Sequence, residues 1–142
     1  MPGLEDRLRT ILHRLHQTAP EIHASAVVSM DGLMLASALP PGTNDDDVAA
    51  ISATLLGLGE RTVQEFRQGT LKQVYVKGDK GYTIITNTGQ ENVLVVVTGE
   101  QAKLGLIFFH IKIVAKEIAH SFSHLLDTPK QIQPPPSFPT QR

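Results

Sequence analysis

Between Asn44 and Gln68 apolar positions return every three or four residues. At a step of about 100° per residue, Val48, Ile51, Ser52, Leu55, Leu56, Leu58, Gly59, Thr62, Val63 and Phe66 occupy roughly half of a helical circumference, which is expected to face a core. The other half is small in its early turns (Ala50, Ala53, Thr54, Gly57) and polar afterwards (Glu60, Arg61, Gln64, Glu65, Gln68). Asn44 is a good N-cap, and Asp45, Asp46 and Asp47 stand where the helix macrodipole favours negative charge, so the helix begins here. Gly69 reads as its C′ residue. A face meeting only water usually carries more Lys, Glu and Gln, whereas small side chains let a second backbone come close. Helix propensity alone accounts for Ala50 and Ala53 but not for Gly57, which costs about 1 kcal/mol against Ala. The small patch therefore predicts contact with another helix, contributed by a second subunit.

The same bookkeeping places elements on both sides. Leu4, Leu8, Ile11, Leu12 and Leu15 give a first helix from Leu4 to Gln17, ended by Thr18-Ala19-Pro20 because proline disfavours helix in the residue before it. Ile22, Ala24, Ala26 and Val28 alternate as a strand does, and Leu33 to Leu39 is a second apolar run. Asp31-Gly32 between them predicts a two-residue type I′ turn, and Pro40-Pro41-Gly42 stops the second strand. Three strands follow the middle helix, at Leu71–Lys77, Tyr82–Asn87 and Asn92–Thr98, with joints of hairpin length. Val93 to Val97 has no polar position, so this strand should be central with both faces covered. The more polar strand with Lys72, Gln73 and Lys77 is the better edge. Thr98-Gly99-Glu100-Gln101 reads as a capping box opening a third helix, whose stripe is Leu104, Ile107, Phe108, Ile111, Ala115, Ile118, Phe122 and Leu125. After Leu126 the composition turns to Asp127-Thr128-Pro129 and Pro134-Pro135-Pro136, which predicts an extended or disordered tail. A solvated tail and a ligand for an SH3-like domain both fit it. The division is thus a domain over 1–126 and a Pro-rich tail over 127–142. The expected fold is α+β, a five-stranded antiparallel sheet in the order helix-strand-strand-helix-strand-strand-strand-helix. Its middle helix lies on one face and the terminal helices on the other.

Composition and charge narrow the partners. The 142 residues suffice for one domain and a tail, and 13 Lys plus Arg against 14 Asp plus Glu, with no basic run, make nucleic acid an unexpected partner. Without cysteine there is no disulfide framework and no thiolate site. The apolar runs are too short or too interrupted for membrane insertion, and the N-terminus lacks a signal-peptide pattern, so a soluble cytoplasmic protein is expected.

No chemistry stands out. Neither a phosphate-binding loop nor a strand-linked Gly-x-Gly-x-x-Gly is present, so no nucleotide or other cofactor is expected. Asp79 between Gly78 and Gly81 has the spacing of a hairpin joint. His120 and His124 at i, i+4 and His13 and His16 at i, i+3 share helical faces, but no carboxylate or thiolate completes a metal site. Both pairs lie opposite the main apolar stripes, so they read as solvated. Ser25, Ser29, Ser37, Ser52 and Ser121 show no nucleophile-elbow pattern, and the chain does not read as an enzyme.

The third helix carries a second, narrower stripe of Leu106, Phe109 and Ile113, flanked by Lys112, Lys116, His110 and Glu117. An apolar centre with a charged rim is the make-up of a partner surface. Cover by the first helix, or by Ile132 or Phe138 of the tail, would also account for it.

Order and spacing together resemble the Roadblock family, the dynein-light-chain type of domain that also includes bacterial gliding-polarity regulators of a Ras-like GTPase. The residues carrying this are Val27-Val28-Ser29-Met30-Asp31-Gly32-Leu33, the helix from Val48 through Gly59-Glu60-Arg61, Gly69-Thr70-Leu71, Gly81-Tyr82, Val93-Leu94-Val95-Val96 and Ala102-Lys103-Leu104-Gly105-Leu106. The resemblance spans about Leu4 to Phe122. It implies a homodimer whose edge strands meet across a two-fold axis while the middle helices pack antiparallel, with Ala50, Ala53, Thr54, Gly57, Arg61, Leu71, Gln73, Val74 and Tyr75 at the dimer or partner interface. It implies a non-enzymatic regulator of a Ras-like small GTPase. If hydrolysis is accelerated, Arg61 or Arg67 could enter the partner's site, though positioning the partner's own residues would need no such finger. A dimeric scaffold that never touches a GTPase is the alternative.

Overall fold

A computed structural model describes residues 3–132, with side chains described to Ser123. The elements are α1 (Leu4–Thr18), β1 (Ile22–Ser29), β2 (Met34–Ala38), α2 (Asp45–Glu65), β3 (Gln73–Gly78), β4 (Gly81–Asn87), β5 (Asn92–Gly99) and α3 (Leu104–Ile132). The strands form one antiparallel sheet in the order β2-β1-β5-β4-β3. The all-apolar strand is central and the polar one is an edge, as their patterns predict. Successive side chains of a strand point to opposite faces. Val93 and Val95 accordingly pack under α2 with Ala49 and Leu56, while Leu94 and Val96 pack under α1 and α3 with Leu8, Leu12, Ile107 and Ile111. The α+β architecture with α2 on one face and the terminal helices on the other is the expected one.

Four local readings are corrected. In the β1–β2 turn only Gly32 takes a positive φ, and Gly32 N–H donates to Ser29 O at 3.0 Å while Ser29 N–H donates to Leu33 O at 2.9 Å. The connection is a three-residue loop with one left-handed position rather than a type I′ turn, because Met30 joins it. The helix α2 stops at Glu65, short of Gly69. Arg67 at φ 55° is the left-handed residue, and Arg67 N–H to Gln64 O (3.2 Å) with Gln68 N–H to Val63 O (2.7 Å) satisfies the last carbonyls as a Schellman motif. The supposed capping box belongs to β5, where Thr98 pairs with Tyr82 and Ile22. The ladder has taken those backbone groups, and α3 starts only at Leu104, with Lys103 O accepting the Leu106 and Ile107 N–H groups at 3.0 Å. Finally, α3 continues past Leu126 to Ile132. Pro129 lacks an N–H donor, but its fixed φ is itself helical, so composition alone misplaces this end. Residues 133–142 of the expected tail lie outside the described residues.

Candidate functional site

Among the described residues α2 is the one helix on its face of the sheet, and only Ala49, Ser52 and Leu56 of it are buried. Ile51 and Leu58, read from the sequence as core-facing, are each 60% exposed, and Phe66 is 70% exposed. A single helix presses only a narrow stripe onto a sheet, so the expected half-circumference is wider than one subunit can cover. Ala50, Thr54, Gly57 and Arg61 are exposed beside them. The Thr54 hydroxyl turns back to donate to Ala50 O at 2.8 Å, which keeps this ridge low and self-satisfied.

The two glycines of the helix differ in role. A Cβ on Gly57 would meet nothing within 4 Å, whereas one on Gly59 would lie 2.7 Å from Val74 Cγ2 and 3.1 Å from Leu71 Cδ2. Gly59 lets the β3 segment close against α2, and Gly57 leaves the outer ridge open. Ala53 is half-buried, its Cβ 3.4 Å from where a Cβ on Gly32 would stand, so the β1–β2 loop covers it.

Near and along β3 the candidate interface residues separate by face. Leu71 is buried and Val74 half-buried in the core beneath α2. Gln73 and Tyr75 point the other way. Gln73 Nε2 donates to Thr86 Oγ1 at 3.0 Å, and the Tyr75 ring stacks on Tyr82 with centroids 5.7 Å apart and leans on Phe108 at 6.2 Å. Val76, on the α2 side, is exposed. Because among the described residues β3 pairs only with β4, its other edge presents backbone donors and acceptors without a strand partner there. Ile51, Leu58, Phe66 and Val76 were missed by the sequence reading. The available signal was the excess of large apolar residues over what one helix face can bury.

On the opposite face Leu106, Phe109 and Ile113 are exposed, Phe109 at 59%. The first helix does not cover them. A groove of about 330 Å³ separates α1 from α3 there, lined by Phe109 and Ile113 and spanned by the Arg14–Glu117 pair at 2.9 Å. Ile132 and Phe138, the other proposed covers, lie outside the described side chains.

The histidines are not uniformly solvated. His16 is half-buried with Nε2 2.8 Å from Ser25 Oγ, and burial, followed by the nearby His13 and His23 rings, holds its pKa below the usual 6.5. The unfolded chain therefore takes up the proton first, so the neutral ring's stabilisation is complete above pH 6.5 and is lost as pH falls below it. The melting temperature of the wild type is expected to drop from about pH 7.5 to about pH 5.5 more steeply than that of His16→Gln, and equal slopes would refute this coupling. No group of three metal-ligating side chains occurs among the described residues. The His124 side chain lies outside them. No helix among the described residues is long and apolar enough to cross a membrane.

With this geometry in view, comparisons place the chain among known proteins. The Roadblock/LC7 domain family model matches residues 9–98. An uncharacterised protein of Methanocaldococcus jannaschii is 39% identical over 101 residues, covering 71% of this chain and 88% of the relative. Among solved structures, Myxococcus xanthus MglB superposes with a TM-score of 0.81 at 20% identity, covering 88% of this chain and 94% of that one. A second MglB structure, in a tetrameric arrangement, gives 0.77 at 18% identity over 85% and 91% of the two chains.

Proposed function

Because the chain belongs to the Roadblock/LC7 domain family, a regulatory and non-catalytic family, we propose that it is a homodimeric regulator of a Ras-like small GTPase acting by protein contact. The observation that carries this reading is the outer face of α2. Ala50, Thr54 and Gly57 form a low ridge between the exposed Ile51 and Leu58, and a second copy laid antiparallel would cover all of them. Beside it the free edge of β3 can pair with its own copy, joining two sheets with Gln73 and Tyr75 near the axis. Myxococcus xanthus MglB has this fold, and a second MglB structure in a tetrameric arrangement supports self-association. Arg61, exposed on the same helix, would then lie at the rim of the dimer where a GTPase could be held. Its part is to position the partner's own residues.

The chain has no phosphate loop, so any GTP belongs to the partner. The isolated protein is expected neither to bind nor to hydrolyse GTP. Calorimetric titration with GTP and magnesium checks the first half, and micromolar affinity would overturn it. Co-purification with candidate Ras-like GTPases in GDP-bound and GTP-bound forms, followed by single-turnover hydrolysis, tests the regulator itself. Nucleotide-dependent binding is the expected result. Failure with every candidate would leave the scaffold reading, which the exposed Leu106, Phe109 and Ile113 favour because they offer a second partner face away from α2.

A further inference from the structure

Between α3 and the β3–β4 end of the sheet lies a groove of about 600 Å³. Its floor is Phe108, Ile111, Ala115 and Ala119, and its rim carries Lys72 from the segment before β3 with Lys112 and Lys116 from α3. All three lysines are exposed, and none forms an ion pair among the described residues. The remaining polar lining is already engaged. Gln73 donates to Thr86, Asn87 Nδ2 donates to Leu71 O at 3.2 Å while its Oδ1 accepts from Gly89, and Thr88 Oγ1 donates to Asn92. What the groove has left to offer a visitor is therefore an apolar floor beneath three cationic donors.

We propose that this groove binds an acidic segment of a partner protein, laying aliphatic side chains on the floor and carboxylates on Lys72, Lys112 and Lys116. Charge complementarity selects this occupant. The chain's own residues 133–142 include Arg142 and no Asp or Glu, so they lack the matching charge. An anionic membrane surface is typically engaged by about four to eight clustered Lys or Arg, more than this concave site presents. A small anion would make no use of the apolar floor. The proposal uses no residue of α2; the groove shares Gln73 with the proposed dimer edge, and the variants that test it lie on α3, outside that edge.

A displayed library of random dodecapeptides, panned on the full-length protein, tests it, with the selected peptides then synthesised and titrated by fluorescence anisotropy. The expected winners carry two or more carboxylates interleaved with apolar residues. The double variant Lys112→Glu/Lys116→Glu should bind them about tenfold or more weakly at an unchanged melting temperature, since both lysines are unpaired surface residues. Raising salt from about 50 to about 300 mM should weaken the wild-type complex in the same direction. The proposal is overturned by winners without acidic residues, by none at all, or by binding that survives the double charge reversal. Binding of phosphatidylserine vesicles that the peptides do not compete away would also overturn it.

Discussion

Leu58→Asp is expected to turn a dimer into a monomer of 15.5 kDa without unfolding it. Leu58 is largely exposed in the single subunit, so the substitution should change subunit stability by no more than about 0.5 kcal/mol. In a dimer with antiparallel α2 helices the same change buries a carboxylate against apolar neighbours on each side. A penalty of about 3 kcal/mol corresponds to more than a hundredfold in the dissociation constant. Sedimentation velocity over a concentration series measures this. Gly57→Leu sharpens the test, because a Cβ there meets nothing within 4 Å and the change gains helix propensity of about 1 kcal/mol, yet overpacks a close helix pair. In a monomer it should stabilise, and in the proposed dimer it should dissociate the subunits. A wild type sedimenting as a monomer at tens of micromolar would remove the dimer from the functional reading.

Val96→Asp should abolish the folded state altogether. Val96 is fully buried at the middle of β5, opposite Ser25 on one side and Ile84 on the other, within the cluster under α1 and α3. An unpaired carboxylate there costs several kcal/mol, and the whole stability of a domain this size is about 5–15 kcal/mol. Val96→Ala removes only methyl groups and should cost about 2 kcal/mol, leaving a cooperative transition. Circular dichroism through a thermal ramp separates the two variants. A near-native melting curve for Val96→Asp would mean that this face of the sheet is not packed as described.

Both variants sit where the apolar pattern was easiest to read. The unbroken Val93–Val97 run placed its strand at the centre because only a strand covered on both faces can afford no polar position. The stripe of α1 was equally legible, its Leu8, Ile11, Leu12 and Leu15 all buried. The outer face of α2 was only half legible. Gly57 and Ala50 were found by their small size, while Ile51 and Leu58 were assigned inward because periodicity measures direction around a helix and not how much surface lies beneath it. Leu71 and Val74, given by the family resemblance, and Ala53, given by the small patch, are buried or half-buried within the subunit, which no spacing along the helix could show.

By itself the sequence determined the element order, the central strand, the polar edge and the family, because these depend on local spacing and on patterns that every subunit must satisfy. Tertiary structure alone decided where the helices end and which apolar residues remain outside. Thr98 is spent in the β5 ladder before it can cap α3, and Arg67 rather than Gly69 turns the end of α2. Which side of α3 stays open is settled by where α1 lies, leaving Phe109 in solvent, and three lysines without ion pairs among the described residues stand over a groove on the β3–β4 side. Such outcomes follow from competition between distant segments for the same backbone hydrogen bonds and the same buried area, and no local pattern records who wins.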